Sequence, residues 1–155
     1  MVKKIMDNED LKTANILVVD DNEQNLELIQ AYLEDIECKT IPAKDGLAAL
    51  DIIKDSKPDL VLLDVMMPRM SGFEVCRRIK NNPATADLPV IMVTALNELG
   101  DIERAIESGT DDFLSKPVNK LELLTRVKTM LKLKHLTDKL ERTLAYLSEL
   151  EKEQN

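Results

Sequence analysis

The sequence contains no tryptophan, and its aromatic side chains are two tyrosines and two phenylalanines in 155 residues. So few aromatic faces exclude a platform on which nucleic-acid bases would stack. Cysteine is also scarce. Cys38 and Cys76 lie far apart and form no CxxC, which excludes a disulfide framework and argues against a zinc site; free thiols in a reducing compartment are expected. No apolar run approaches the roughly 18 residues of a membrane span. Residues Met1 to Thr13 are charged and lack the hydrophobic stretch of a signal peptide. Cations are in deficit, with 21 Lys and Arg against 29 Asp and Glu and a net charge of -8. Phosphate-backbone binding needs a concentrated basic surface, so nucleic acid is excluded as the main partner.

What is present is a folded composition, 44% hydrophobic and 32% charged, with length for one compact domain and an appendage. A cytoplasmic protein is expected, divided into a flexible N-terminal tail over 1–13, a domain over 14–131 and a helical extension over 132–155.

Short apolar runs alternate with helical patterns. The runs are Asn15–Asp20, Glu37–Ile41 (stopped by Pro42), Asp59–Asp64, Pro89–Thr94 and Asp112–Ser115. Between them, Leu26, Ile29 and Leu33 recur at helical spacing, with Asn22 or Asn25 as a cap. A second helix carries Leu47, Leu50 and Ile53, a third Phe73, Val75 and Ile79. A fourth runs from Leu99 to Ser108 and ends at Gly109, placed as a C-cap. The first, third and fourth runs are almost wholly apolar, as strands covered on both faces must be. The predicted fold is α/β: a doubly wound five-stranded parallel sheet, with an extended C-terminal helix. In such sheets the ligand site lies at the carboxyl ends of the strands.

The residues at those ends are Asp20 and Asp21, Asp64, Thr94 and Lys116. Two like charges about 4 Å apart cost on the order of 4 kcal/mol at an effective dielectric near 20. A hard divalent cation relieves that repulsion, and Mg²⁺ takes one or two carboxylates, waters and a phosphate. Lys116 supplies a point charge for the same phosphate. Phosphoryl transfer needs an in-line nucleophile and charge neutralisation more than acid–base chemistry, and a carboxylate can serve as that nucleophile.

Together, Asp20-Asp21, Asp64 followed by Val65-Met66-Met67-Pro68 and Gly72, Thr94-Ala95, and Lys116-Pro117 resemble the receiver domain of two-component response regulators, the CheY-like superfamily. The resemblance spans roughly Asn15 to Leu131. It implies a flavodoxin-like sheet of order 2-1-3-4-5. It implies that Asp64 accepts a phosphoryl group from a sensor histidine kinase or phosphotransfer protein. Asp21 and Asp64 would ligate Mg²⁺ directly, Asp20 through water, and Met66 by its backbone carbonyl. Thr94 would be the switch hydroxyl, Phe113 the aromatic switch residue, and Lys116 the phosphate-binding ammonium ahead of a cis Pro117. The face formed by the fourth helix, fifth strand and fifth helix would shift on phosphorylation. Met66 and Leu96 would flank the path of attacking water, and their apolar side chains would lengthen the signal.

From about Val118 to Glu151 no Gly or Pro interrupts the helical pattern. Leu124, Val127 and Leu131 fit a stripe against the sheet. Beyond residue 132 the phase slips, and Leu133, Leu136, Leu140, Leu147 and Leu150 take heptad spacing with Thr143 as the polar seam position and Leu144 beside it. A parallel homodimeric coiled coil is expected; the other reading is a helix folded back on its own domain. The homodimer would form through this helix or the shifting face. His135 reads as a surface residue. Two readings of the whole chain stay open: a stand-alone regulator, or the receiver and linker of a longer protein whose output domain is absent here. The stretch Lys132–Leu140 resembles linkers leading to cyclic-di-GMP enzymes or phosphatase modules.

Two other functions compete. A Mg²⁺-dependent aspartyl phosphohydrolase of the haloacid dehalogenase type needs a second Asp two residues past its nucleophile, where this sequence has Met66. A degenerate receiver acting as a dimerisation scaffold would not need Asp21, Asp64, Thr94 and Lys116 intact. A dinucleotide site fails because no Gly-rich turn follows the first strand. The expectation is a switch rather than a turnover enzyme.

Overall fold

A computed structural model describes residues 8–95 and 99–154. Five strands form one parallel sheet in the order β2-β1-β3-β4-β5, the order the resemblance implied. They are β1 Asn15–Val19, β2 Lys39–Ala43, β3 Leu60–Asp64, β4 Val90–Thr94 and β5 Asp112–Ser115. The helices are α1 Asn8–Lys12, α2 Glu23–Leu33, α3 Gly46–Ser56, α4 Gly72–Asn81, α5 Leu99–Glu107 and α6 Lys120–Gln154, with a 3-10 turn over Glu34–Ile36. Because of the short α1, the face expected from the fourth and fifth helices is here α5–β5–α6.

Alternation along each strand divides the core into two layers. Leu17, Val19, Leu63 and Met92 meet Ile53 from α3 and Phe73 and Ile79 from α4. Ile16, Val18, Leu62 and Ile91 meet Leu26, Ile29 and Leu33 from α2 and Leu123, Val127 and Leu131 from α6. Covering both faces requires the unbroken apolar runs of β1, β3 and β4, which are almost wholly buried.

Local signals fix the helix ends. The Asn22 side chain accepts from Asn25 N–H, Asp45 from Ala48 N–H, and Ser71 from Glu74 N–H, each capping a helix start. Gly109, at φ 90°, follows α5 as a left-handed cap.

Four details depart from the sequence reading. Pro42 does not stop β2 but sits inside it, opposite Val18; β2 is an edge strand, where a missing N–H leaves no inner ladder bond broken. The core face of α3 is Gly46, Ala49 and Ile53, while Leu47 is exposed, because a small face lets the helix lie close to its neighbours. In α6 it is Leu123 that is fully buried and Leu124 only partly so. Part of the segment expected as a flexible tail is ordered: α1 seats Leu11 in the core at 4% exposure. Among the described residues, no helix is long and apolar enough to cross a membrane.

Candidate functional site

All strands run the same way, so their carboxyl ends share one edge of the sheet. Asp20 follows β1, Asp64 ends β3, Thr94 ends β4, and Lys116 directly follows β5, ahead of a cis Lys116–Pro117 bond. The structure brings these side chains together. Lys116 Nζ donates to Asp64 Oδ1 at 3.0 Å and to Asp20 Oδ2 at 3.4 Å. The other Asp20 oxygen accepts from the Asn22 N–H at 2.9 Å, which ties the acid to the start of α2. Asp20, Asp21 and Asp64 each offer an oxygen, and these lie within 4.8 Å of one another. Asp20 and Asp64 are buried, and Asp21 is exposed at the rim.

Burial is the main reason the Asp64 carboxyl is held above the usual carboxylate range. Its hydrogen bond from Lys116 opposes that, the Asp20 charge adds to it, and a backbone bond from Met66 opposes it. Burial alone would push the Lys116 ammonium down, but the bond to Asp64 and the charges of Asp64 and Asp20 reverse this and hold it above the ordinary lysine value. Lys116 thus meets two of the three carboxylates, and the site retains an excess of negative charge.

Thr94 is buried, and its Oγ1 has no hydrogen-bond partner among the described residues. An orphaned buried hydroxyl is costly, and its position beside the acids leaves it available to a group that the site receives. Phe113, by contrast, lies in β5 with its side chain 36% exposed. The Met66 side chain points to solvent, at 74% exposure. Leu96 lies outside the described residues.

Gly72 has a steric role that composition did not supply. Its N–H donates to Val65 C=O at 2.9 Å. A Cβ there would lie 2.8 Å from Val65 Cα and closer still to the Asp64 carbonyl oxygen. Only glycine lets α4 begin against the strand end that carries Asp64. The signal was its place at a fixed distance after Asp64, but the contact itself is tertiary.

Residues 16–128 match the response regulator receiver domain family. The chain belongs to that family. It is 44% identical over 128 residues to the response regulator PleD of Caulobacter vibrioides, a match covering 83% of this chain and 28% of that protein. It is 35% identical over 119 residues to the polar-differentiation response regulator DivK of Brucella ovis, covering 77% of this chain and 97% of DivK. The chain therefore spans well under a third of PleD but nearly all of DivK. Among solved structures, it resembles the receiver domain of a signal transduction histidine kinase from Syntrophus aciditrophicus, at 34% identity and TM-score 0.74, covering 77% of this chain and 90% of that one. A CheY-like receiver from Methanospirillum hungatei superposes at TM-score 0.75 and 26% identity, covering 81% and 98%. Receiver domains are signalling modules, and the acidic cluster and lysine stand on the receiver fold's strand ends.

Proposed function

We propose that this receiver is a phosphorylation-controlled switch whose phosphoacceptor is Asp64. The observation that carries the reading is Lys116 bound to Asp64 at 3.0 Å inside a cluster of three carboxylates. A carboxylate oxygen of Asp64 forms a bond to phosphorus while the phosphorus–nitrogen bond of a donor phosphohistidine breaks, and the electron pair of that bond leaves with the imidazole. The donor is a sensor histidine kinase or a phosphotransfer protein, which places the protein in the cytoplasm.

The three carboxylates fit a hard divalent cation. Asp21 and Asp64 would hold Mg²⁺ directly, Asp20 through water, and Met66 by its carbonyl; the ion would neutralise charge on the transferring group. Lys116, already bonded to Asp64, would bind a phosphoryl oxygen. The Thr94 hydroxyl donates to another oxygen of the new group, gaining the partner it lacks. Phe113, on the neighbouring β5 and paired with Met92 of β4, then turns inward. The α5–β5–α6 face then carries the change outward, a two-state element biased by a local charge.

The output is a change in assembly. Leu133, Leu136, Leu140, Leu144, Leu147 and Leu150 on α6 are all exposed, and a continuous leucine face of this length belongs in an interface. The chain forms a homodimer through it.

The test is labelling with acetyl phosphate and Mg²⁺. Asp64→Asn should take up no label, and EDTA should abolish labelling of the wild type. Undiminished labelling of Asp64→Asn at the same rate would overturn the assignment.

A further inference from the structure

The two halves of α6 use opposite faces. Leu123, Val127 and Leu131 are buried against the sheet, and Lys134 and Asp138 continue that side, half-buried. Leu140 comes nine residues after Leu131, which is two and a half turns at 3.6 residues per turn. The exposed leucines therefore point away from their own domain, and the domain that occupies one side of the helix does not reach the other.

Charge decides what covers them. Residues 132–142 hold four cations (Lys132, Lys134, Lys139, Arg142) and two anions (Asp138, Glu141), whereas 143–154 hold one cation (Lys152) and three anions (Glu149, Glu151, Glu153). The segment is basic in its first half and acidic in its second. It holds five charges of each sign, so the whole -8 of the chain lies on residues 1–131. A parallel pairing sets basic half on basic half and acidic on acidic. It also holds two strongly acidic domains side by side. Its flanking pairs would be Lys132 with Thr137, Lys139 with Leu144 and Tyr146 with Glu151, none of them of opposite charge.

Reversing one helix changes every one of these relations. With Leu133 and Leu140 at a positions and Leu136, Thr143 and Leu150 at d, the reversed layers are Leu133 against Leu150, Leu136 against Leu147, and Leu140 against Thr143. Lys132 then flanks Glu153, twice by symmetry. Basic halves lie on acidic halves. The domains move to opposite ends, about 25 Å apart along the axis from the 1.5 Å rise alone, beyond a Debye length of about 10 Å at 0.1 M salt. The Thr143 hydroxyl needs no partner across the seam, since it donates to Lys139 C=O at 2.9 Å.

We infer that the occupant of the leucine face is a second copy of this chain, packed antiparallel rather than parallel. This rests on the homodimer proposed above and fixes its orientation.

Disulfide trapping in the full chain separates the two ideas. Leu133→Cys and Leu150→Cys are made singly, with distinguishable tags, and the wild type sets the background from Cys38 and Cys76. Sedimentation at tens of micromolar, with and without acetyl phosphate and Mg²⁺, should give twice the chain mass in at least one of the two states, and cross-linking is read in that state. On mild oxidation each variant alone should cross-link no more than the wild type, and an equal mixture should give the mixed disulfide as the main product. Self-linking of Leu133→Cys or Leu150→Cys would overturn the antiparallel orientation and keep the dimer. A dimeric mass without any disulfide above background would move the interface off this face and overturn the inference. A monomeric mass in both phosphorylation states would remove the dimer itself.

Discussion

Lys116 and Asp64 are 52 residues apart in the chain, and their side chains meet at 3.0 Å. The same ammonium reaches Asp20 at 3.4 Å. A single half-buried cation between two buried acids is a compromise, since it lessens their repulsion without cancelling it. The site is thus folded with an electrostatic cost that a divalent cation would lessen.

That cost predicts a pH dependence. Asp64 is held above the ordinary carboxylate range, chiefly by burial. A raised folded-state pKa means the folded chain binds the proton more tightly than the unfolded chain. The contribution of Asp64 is then fully present below the unfolded value of about 3.9 and is lost as pH rises through the folded value. In EDTA, wild type should therefore lose stability relative to Asp64→Asn on going from about pH 4.5 to about pH 7.5. Urea unfolding at the two pH values measures it, and a difference that does not change with pH would remove the strained-carboxylate account.

Met66 stands next to the carboxylates with its side chain largely in solvent. An apolar group there cannot orient a water molecule toward the phosphoryl group, whereas an amide can. Met66→Asn should shorten the lifetime of the phosphorylated protein several-fold in Mg²⁺. Loss of label after removal of the donor gives the rate, and an unaltered lifetime would show that Met66 plays no part in excluding water.

Gly72→Ala forces a methyl group against Val65 Cα and the Asp64 carbonyl. Backbone cannot yield as a flexible side chain does, so the substitution should cost about 2–3 kcal/mol. It should also slow phosphorylation, because the clash displaces the strand end that carries Asp64. A loss below about 0.5 kcal/mol in urea unfolding would show that the loop before α4 moves freely.

Leu123 and Leu124 are neighbours with different fates. Leu123 is at 0% exposure, and Leu124 packs only partly against the same cluster. Leu123→Ala should cost about 2–5 kcal/mol and Leu124→Ala less than half as much. Equal losses would contradict the phase of α6 described here.

Burial pushes the Cys38 thiol from an ordinary 9.0 up to about 11. Its thiolate at pH 8 is then about 100-fold scarcer than that of a free thiol, and the thiolate is the reactive form. Cys76 is fully buried, with Sγ donating to Ser108 C=O at 3.4 Å. Both thiols should alkylate slowly in the native protein and at ordinary rates in urea. One thiol reacting rapidly under native conditions at pH 8 would contradict this environment.

Much of the fold was legible because a parallel sheet between two helical layers leaves few alternatives. Strands buried on both faces must be apolar throughout, and Ile16 to Val19, Leu60 to Leu63 and Val90 to Val93 are. The site was legible for a related reason. Parallel strands put all their carboxyl ends on one edge, so Asp20, Asp64, Thr94 and Lys116 could be placed together from their positions in the pattern. Pro42 was misread because whether a proline breaks a strand depends on which strand lies at the edge. Leu47 and Leu124 were misread because both faces of those helices carry apolar residues, and periodicity alone does not say which one is turned inward.

The sequence by itself determined the alternation of strands and helices from β1 onward, the caps at Asn22 and Gly109, and the set of residues at the strand ends, since each follows from local chemistry or period. The tertiary structure decided what required distant segments to meet. It set Lys116 between Asp20 and Asp64, left the Thr94 hydroxyl without a partner, made Gly72 the only residue that fits beside Asp64, and turned the leucines of α6 away from their own domain. Those outcomes depend on packing distances between elements, which a local pattern does not contain.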